Sequence, residues 1–299
     1  MVDQVSGPRG RGRSLNKVPW LIALPAVAAL IGLRFLPSIV GGTFAFTDWN
    51  GADANWIGFD NFFAIFRDPT TSNALVHTFQ LAGLLVVICN VLGLMLAMSL
   101  RTAFKTRNLM RAMFFLPFAL SHLATGYIWQ YIFQYSGPLN RILGAAGLES
   151  WQLVWLADPN WAIYTILVVL VWQYTGLTMV IYLAGLEGIP DELHDAVAMD
   201  GASPWLKFRK VTLPLLAPAI TVSATLTLIY GLGAFDQVLS MTGGGPVNAT
   251  ETLATQVWQN TFVYGRFGYG SALALILTGL VAILSIAQVS LLRYQETRL

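Results

Sequence analysis

The sequence predicts an all-α membrane protein of six transmembrane helices with a cytoplasmic pair of short helices, and three observations carry that prediction. Of 299 residues, 56% are hydrophobic and only 11% charged, with a mean hydropathy of +0.61; soluble domains hold about 25% charged residues. Six segments, 18–46, 74–100, 112–140, 161–186, 211–235 and 267–292, nearly lack Asp, Glu, Lys and Arg. Each exceeds the roughly 20 residues a helix needs to cross the hydrocarbon core, where a backbone must satisfy its own hydrogen bonds. Third, the basic residues partition to one side of the spans.

Taken in order, residues 1–16 are basic and Gly-rich and are expected to be disordered. Residues 17–299 then form one six-span domain. The first apolar run carries Pro19, Pro25, Pro37 and Arg34, so a kinked helix or an interfacial start is expected. It is too long for a signal peptide and has no small-residue cleavage pattern, and it reads as a retained span. Four basic residues precede it, namely Arg9, Arg11, Arg13 and Lys17. Arg101, Lys105, Arg107 and Arg111 link the second and third spans, Lys207, Arg209 and Lys210 lie between the fourth and fifth, and Arg293 and Arg298 follow the sixth. Thirteen of the 17 basic residues thus share a face, and the positive-inside rule places both termini there, in the cytoplasm. The net charge of +2 is then a record of topology and gives no indication of nucleic-acid binding.

The segment between the fourth and fifth spans, residues 189–214, is organised beyond the needs of a connector. Pro190 suits a first helical turn, and Asp191, Glu192 and Asp195 place negative charge at the positive end of the helix dipole. Gly201 suits the end of that helix. Ser203-Pro204 reads as the cap and first turn of a second helix, on which Trp205, Phe208 and Val211 form an apolar ridge. Such a ridge suits docking onto another protein, or rest on the membrane surface.

Other chemistry is narrowed by what the sequence lacks. Cys89 is the lone cysteine, and His77, His122 and His194 are too scattered for a paired metal motif. No phosphate-binding loop is present, so this chain holds no ATP, and movement driven by ATP needs another chain to hydrolyse it. An ion-coupled carrier wants several carboxylates near the bilayer midplane. Asp236, near one end of the fifth apolar run, is the sole candidate, and it suits a transport path or a helix cap equally in kind. No acid, base and nucleophile converge as an enzyme requires.

The insert, with Asp195 and Ala196 among small residues, then Asp200-Gly201-Ala202, then Phe208 and Leu213-Pro214, resembles the coupling motif of binding-protein-dependent ABC importer permeases. Where that family writes Glu-Ala-Ala, this chain reads Asp195-Ala196-Val197. Phe46-Thr47-Asp48-Trp49-Asn50, Ile57-Gly58-Phe59-Asp60-Asn61-Phe62, Phe114-Phe115-Leu116-Pro117 and Thr242-Gly243-Gly244-Gly245-Pro246 are similar to segments of its carbohydrate, maltose-type branch. The resemblance implies a permease in a bacterial or archaeal plasma membrane. Its partners would be a second homologous permease, two ATPase subunits that bind ATP and Mg, and an extracytoplasmic solute-binding protein. It further implies coupling roles for Asp195, Ala196, Asp200, Gly201, Trp205, Phe208 and Pro214, with plain helix kinking an equal account of Pro214 and Pro218.

By the same resemblance the sugar path falls on Phe118 and His122 in the third span, Gln173 and Tyr174 in the fourth, and Thr227, Tyr230 and Gly231 in the fifth. Thr227 can equally bond its own helix, and Phe118 can face lipid. Aromatic faces and uncharged hydrogen-bonding groups suit a neutral disaccharide or oligosaccharide. The alternative is another small solute, such as a glycerol phosphate or an amino-sugar conjugate.

Overall fold

The computed structural model describes residues 20–102, 105–190, 192–193, 199, 201 and 203–296. The expected disorder of residues 1–16 lies outside them. The chain divides into two units, residues 1–43 and 44–299. In the first, α1 (Trp20–Leu30) runs through a π-helical turn, Ile31–Phe35, into α2 (Leu36–Thr43). The turn contains Arg34, whose carbonyl accepts from Ser38 Oγ at 2.8 Å. The kink expected from the prolines is therefore a widened turn in a continuous apolar rod.

The second unit opens with the two loop motifs folded onto one another. Thr47 and Trp56 form an isolated antiparallel bridge, and Asn61 Nδ2 donates to the carbonyls of Ala45 and Thr47 at 2.9 and 2.8 Å. Phe46 stacks on Trp56. The short α3 (Asp60–Arg67) follows, then Asp68 caps α4 (Pro69–Arg101) by accepting from Thr70 N. At 33 residues α4 is about 50 Å long. It packs along α8 (Ala162–Glu187), the most buried helix of the bundle. Leu81, Leu85, Ile166 and Leu170 form the core at one level, and Met179, Tyr182 and Leu186 the core at another. Fully burying such side chains contributes roughly 1.5–3 kcal/mol each when water is the alternative; inside a bilayer, close fit and hydrogen bonds replace that drive. One such polar joint lies deep in the bundle, where Tyr182 Oη donates to Asn90 Oδ1 at 2.7 Å and Asn90 Nδ2 donates to Thr227 Oγ1 at 3.1 Å.

Two of the six apolar runs depart from straight spans. Run 112–140 is split into α5 (Arg107–Ala119) and α6 (His122–Ile132), bent by 97° at Leu120 and Ser121, where Leu120 is extended and neither residue is helical. Pro117 removes a backbone donor just before the break. Run 211–235 begins earlier, with α9 (Pro204–Lys207), a π turn at Phe208–Thr212 and α10 (Leu213–Leu215). It then bends by 69° into α11 (Ala217–Leu232). Pro214 and Pro218 occupy the first turns of α10 and α11, where a missing N–H costs little. Among the described residues four helices are long and apolar enough to cross a membrane, and up to six spans result if each bent pair is one span.

Between α6 and α8 lies α7 (Pro138–Ala145), and after α11 come α12 (Asp236–Met241), α13 (Leu253–Trp258) and the long α14 (Phe267–Glu296). The Gly-Gly-Pro turn joins α12 to α13. Gly243 and Gly244 take positive φ there, and Thr250 Oγ1 donates to the Gly245 carbonyl at 2.7 Å. At the other end of the bundle Arg111 ties three span ends together. Its Nη2 donates to the Leu100 carbonyl at 3.0 Å, and its Nη1 lies 3.2 Å from Glu187.

Candidate functional site

The break between α5 and α6 does more than bend a helix. It strips the Leu120 carbonyl of its helical partner, and Gln173 Nε2, on α8, supplies one at 3.4 Å. Non-helical backbone at membrane depth is tolerated where protein or a cavity satisfies it. Gln173 Oε1 in turn accepts from Gln237 Nε2 of α12 at 2.7 Å, so one buried amide pair joins three elements. Gln173 has no exposed surface.

Beside this pair the break brings aromatic rings from three helices together. Tyr174 of α8 stacks on Tyr230 of α11, centroids 4.7 Å apart. Phe118 of α5 meets Tyr174 at 6.1 Å and stands edge-on to Tyr230 at 6.2 Å. His122, the first residue of α6, lies over Tyr174 with Nε2 3.4 Å from the tyrosine Oη. Its Nδ1 lies 3.9 Å from Asp236 Oδ2. The arrangement is an aromatic and amide cluster edged by one histidine and one carboxylate. It offers ring faces to apolar C–H surface and hydrogen-bonding groups to hydroxyls.

Of the residues the sequence suggested for a path, Phe118, His122, Gln173, Tyr174 and Tyr230 are thus assembled in one place. Thr227 and Gly231 are engaged elsewhere. Thr227 is fully buried, donates to the Ser223 carbonyl at 2.8 Å and accepts from Asn90. Gly231 lies where α11 crosses α4, and a Cβ there would press on Ala82, backbone included. Both hold helices together. Gln237 is the residue that sequence reading missed. The available signal was an amide directly after Asp236, just past an apolar run.

The second cluster lies at the start of the fifth span. Gly201 has φ +70°, and a Cβ on it would meet nothing, so the glycine serves the backbone turn alone. Ser203 caps α9 by accepting from Leu206 N at 3.3 Å, as its spacing to Pro204 suggests. Trp205 and Phe208 are in ring contact at 5.7 Å. Trp205 is 67% exposed. Phe208 is half-buried and lines a cavity of about 490 Å³ with Met98, Leu186 and Lys207. Pro214 is half-buried in α10. Asp195, Ala196 and Asp200 lie outside the described residues.

Broken and continuous apolar helices around a polar-edged aromatic cluster define a membrane transport subunit. The chain belongs to the family described as binding-protein-dependent transport system inner membrane component, which residues 89–299 match. It is 36% identical to a probable starch degradation products transport system permease of Thermoanaerobacterium thermosulfurigenes, covering 94% of this chain and 95% of that one. It is 33% identical to a multiple sugar-binding transport system permease of Streptococcus mutans, over 93% and 96% of the two chains. A sulfoquinovosyl glycerol transport system permease of Agrobacterium fabrum is 34% identical, over 92% and 87%. Among solved structures, a bacterial ABC transporter that imports the acidic polysaccharide alginate superposes with a TM-score of 0.79 at 21% identity, over 94% and 95% of the chains. The fold is accordingly that of an ABC permease, and the family is one of transport subunits of the inner membrane.

Proposed function

We propose that this chain is a permease subunit of an ATP-driven importer and passes a neutral disaccharide or oligosaccharide into the cytoplasm. The observation that carries the substrate class is the Phe118–Tyr174–Tyr230 cluster with its buried Gln173–Gln237 pair. Ring faces stack on sugar C–H surfaces, and the buried Gln173–Gln237 amide pair fixes those faces without leaving a buried ion unpaired. The likeness to starch-product and multiple-sugar permeases supports the same reading. In it the chain crosses the membrane six times with both termini cytoplasmic. It pairs with a second permease, receives substrate from an external binding protein, and docks its 189–214 segment on one of two ATPase subunits that bind ATP and Mg. Closure of the ATPases moves that segment as a rigid lever and reopens the path to the other side.

A second reading, an anionic glycoside, is favoured by the likeness to the sulfoquinovosyl glycerol permease. Uptake by the reconstituted complex tests the neutral reading. Gln173→Leu and Tyr174→Ala should each lower neutral-oligosaccharide uptake at least about tenfold, the equivalent of an interaction worth about 1.4 kcal/mol. Sugar binding by the external protein should stay unchanged, and so should uptake by Val168→Ala, a substitution on the exposed side of α8. Wild-type uptake by both path variants would remove these residues from the substrate's route.

A further inference from the structure

Sequence leaves Asp236 between a path role and a helix cap, and the geometry separates the two. Asp236 is the first residue of α12, and its carboxylate turns across the break toward α6, where Oδ2 lies 3.9 Å from His122 Nδ1. Only its backbone carbonyl serves its own helix, accepting from Ser240 Oγ at 2.6 Å. His122 connects the carboxylate to Tyr174 Oη and so to the ring stack. Exposure is graded along this chain of contacts. Tyr174 is 4% exposed, whereas the His122 and Asp236 side chains are 33% and 45% exposed. Rings therefore form the floor and the carboxylate the rim. Among the described residues no lysine or arginine is paired with Asp236, so its charge faces whatever occupies the rim.

We infer that Asp236 is a specificity-determining residue of the path. Its carboxylate accepts hydrogen bonds from hydroxyl or amine groups of a glycoside lying on the Tyr174–Tyr230 stack, and it turns away glycosides that carry a carboxylate or sulfonate. A carboxylate has two oxygens with about four acceptor positions, enough for two neighbouring hydroxyls. Charge-assisted bonds of that kind are about twice as strong as neutral ones. The same charge repels an anion brought close to it on the rim. His122 lies between the carboxylate and the Tyr174 ring. The inference rests on the sugar reading above and adds the charge that the site selects.

The test is ligand binding to the complex of this chain with its partner permease and ATPases in lipid nanodiscs, without the external binding protein. Saturation-transfer difference NMR would read three probes: maltose, its carboxylated derivative maltobionate, and the disaccharide of glucosamine. The wild-type complex should bind maltose and the amino disaccharide, and maltobionate at least about tenfold more weakly. Asp236→Asn, which keeps the shape and removes the charge, should bring maltobionate within about twofold of maltose and weaken the amino disaccharide. Asp236→Ser gives the same comparison should the amide variant not assemble. An unchanged order of the three probes in these variants overturns the inference, while maltose binding by the wild type leaves the sugar reading standing. A wild-type complex that binds none of the three overturns the inference, and normal uptake by Gln173→Leu and Tyr174→Ala would separately remove the assigned path.

Discussion

Glu251, beside the Gly-Gly-Pro turn, is buried to 1% exposure, and its Oε2 makes no hydrogen bond. Burial raises its carboxyl above the ordinary carboxylate range and the nearby Asp68 charge adds to this, against the opposing pull of Gln256 and Gln259. At pH between the unfolded and the raised folded value, the folded chain therefore holds more of that proton than the unfolded chain. Stability from this group is fullest at pH below the unfolded value, about 4.3, and is lost as pH rises through the raised folded value. Glu251→Gln, which removes the ionisation, should give a thermal midpoint above that of the wild type at pH 8, with the gap shrinking toward pH 4. A melting series across that range decides it, and a gap independent of pH would refute the cost of ionisation. Thr227 and Gly231 belong to the same scale. Each resembles a path residue by position, and here the Thr227 hydroxyl is bonded to Ser223 and Asn90 while Gly231 lies against Ala82.

At the scale of elements, the segment before the fifth span is the one whose parts can be tested separately. Gly201 sits at φ +70°, which costs an L side chain roughly 1–2 kcal/mol even with open space around it. A β-branched residue costs more there, so Gly201→Val should uncouple ATP hydrolysis from transport while the spans stay folded. Substrate-stimulated ATPase activity at the wild-type level in that variant would contradict a lever role. For the docking role proposed above, Trp205 is the more exposed of the two rings and Phe208 the more buried. Trp205→Ser should lose the ATPase subunits during purification, since a single exposed aromatic anchor commonly dominates such an interface. Phe208→Ser, which empties the wall of the 490 Å³ cavity, should leave the subunits attached but lower the thermal midpoint. Equal retention of ATPase by the Trp205 variant and the wild type would place the contact elsewhere.

For the whole molecule, charge placement and the absence of a nucleotide site make two linked expectations. Alkaline phosphatase fused after Glu149 should be active, and fused after Leu299 inactive, because the enzyme folds only outside the cytoplasm and the proposed topology puts the C-terminus inside. The purified chain should hydrolyse no ATP until its ATPase partner is added. Activity of the C-terminal fusion would invert the proposed topology and, with it, the side on which the 189–214 segment works.

The sequence by itself determined the membrane class, the location of the apolar runs, the helix start at Pro204, and the family resemblance of the insert and the Gly-Gly-Pro turn. These are local properties: run length, a missing proline donor, a capping serine, a glycine at positive φ. Tertiary structure alone decided which polar groups meet. The 97° break that frees the Leu120 carbonyl for Gln173 has only Pro117 as a local sign. The approach of α12 to α6 depends on Gly126, where a Cβ would strike Ser240 more than 100 residues along the chain. That approach is what sets Asp236 against His122 and Gln237 against Gln173. Hydropathy records how apolar a residue's surroundings are, whereas a site depends on direction and distance between helices. Those follow from close packing of small residues across helix crossings, and no run of neighbouring residues encodes them.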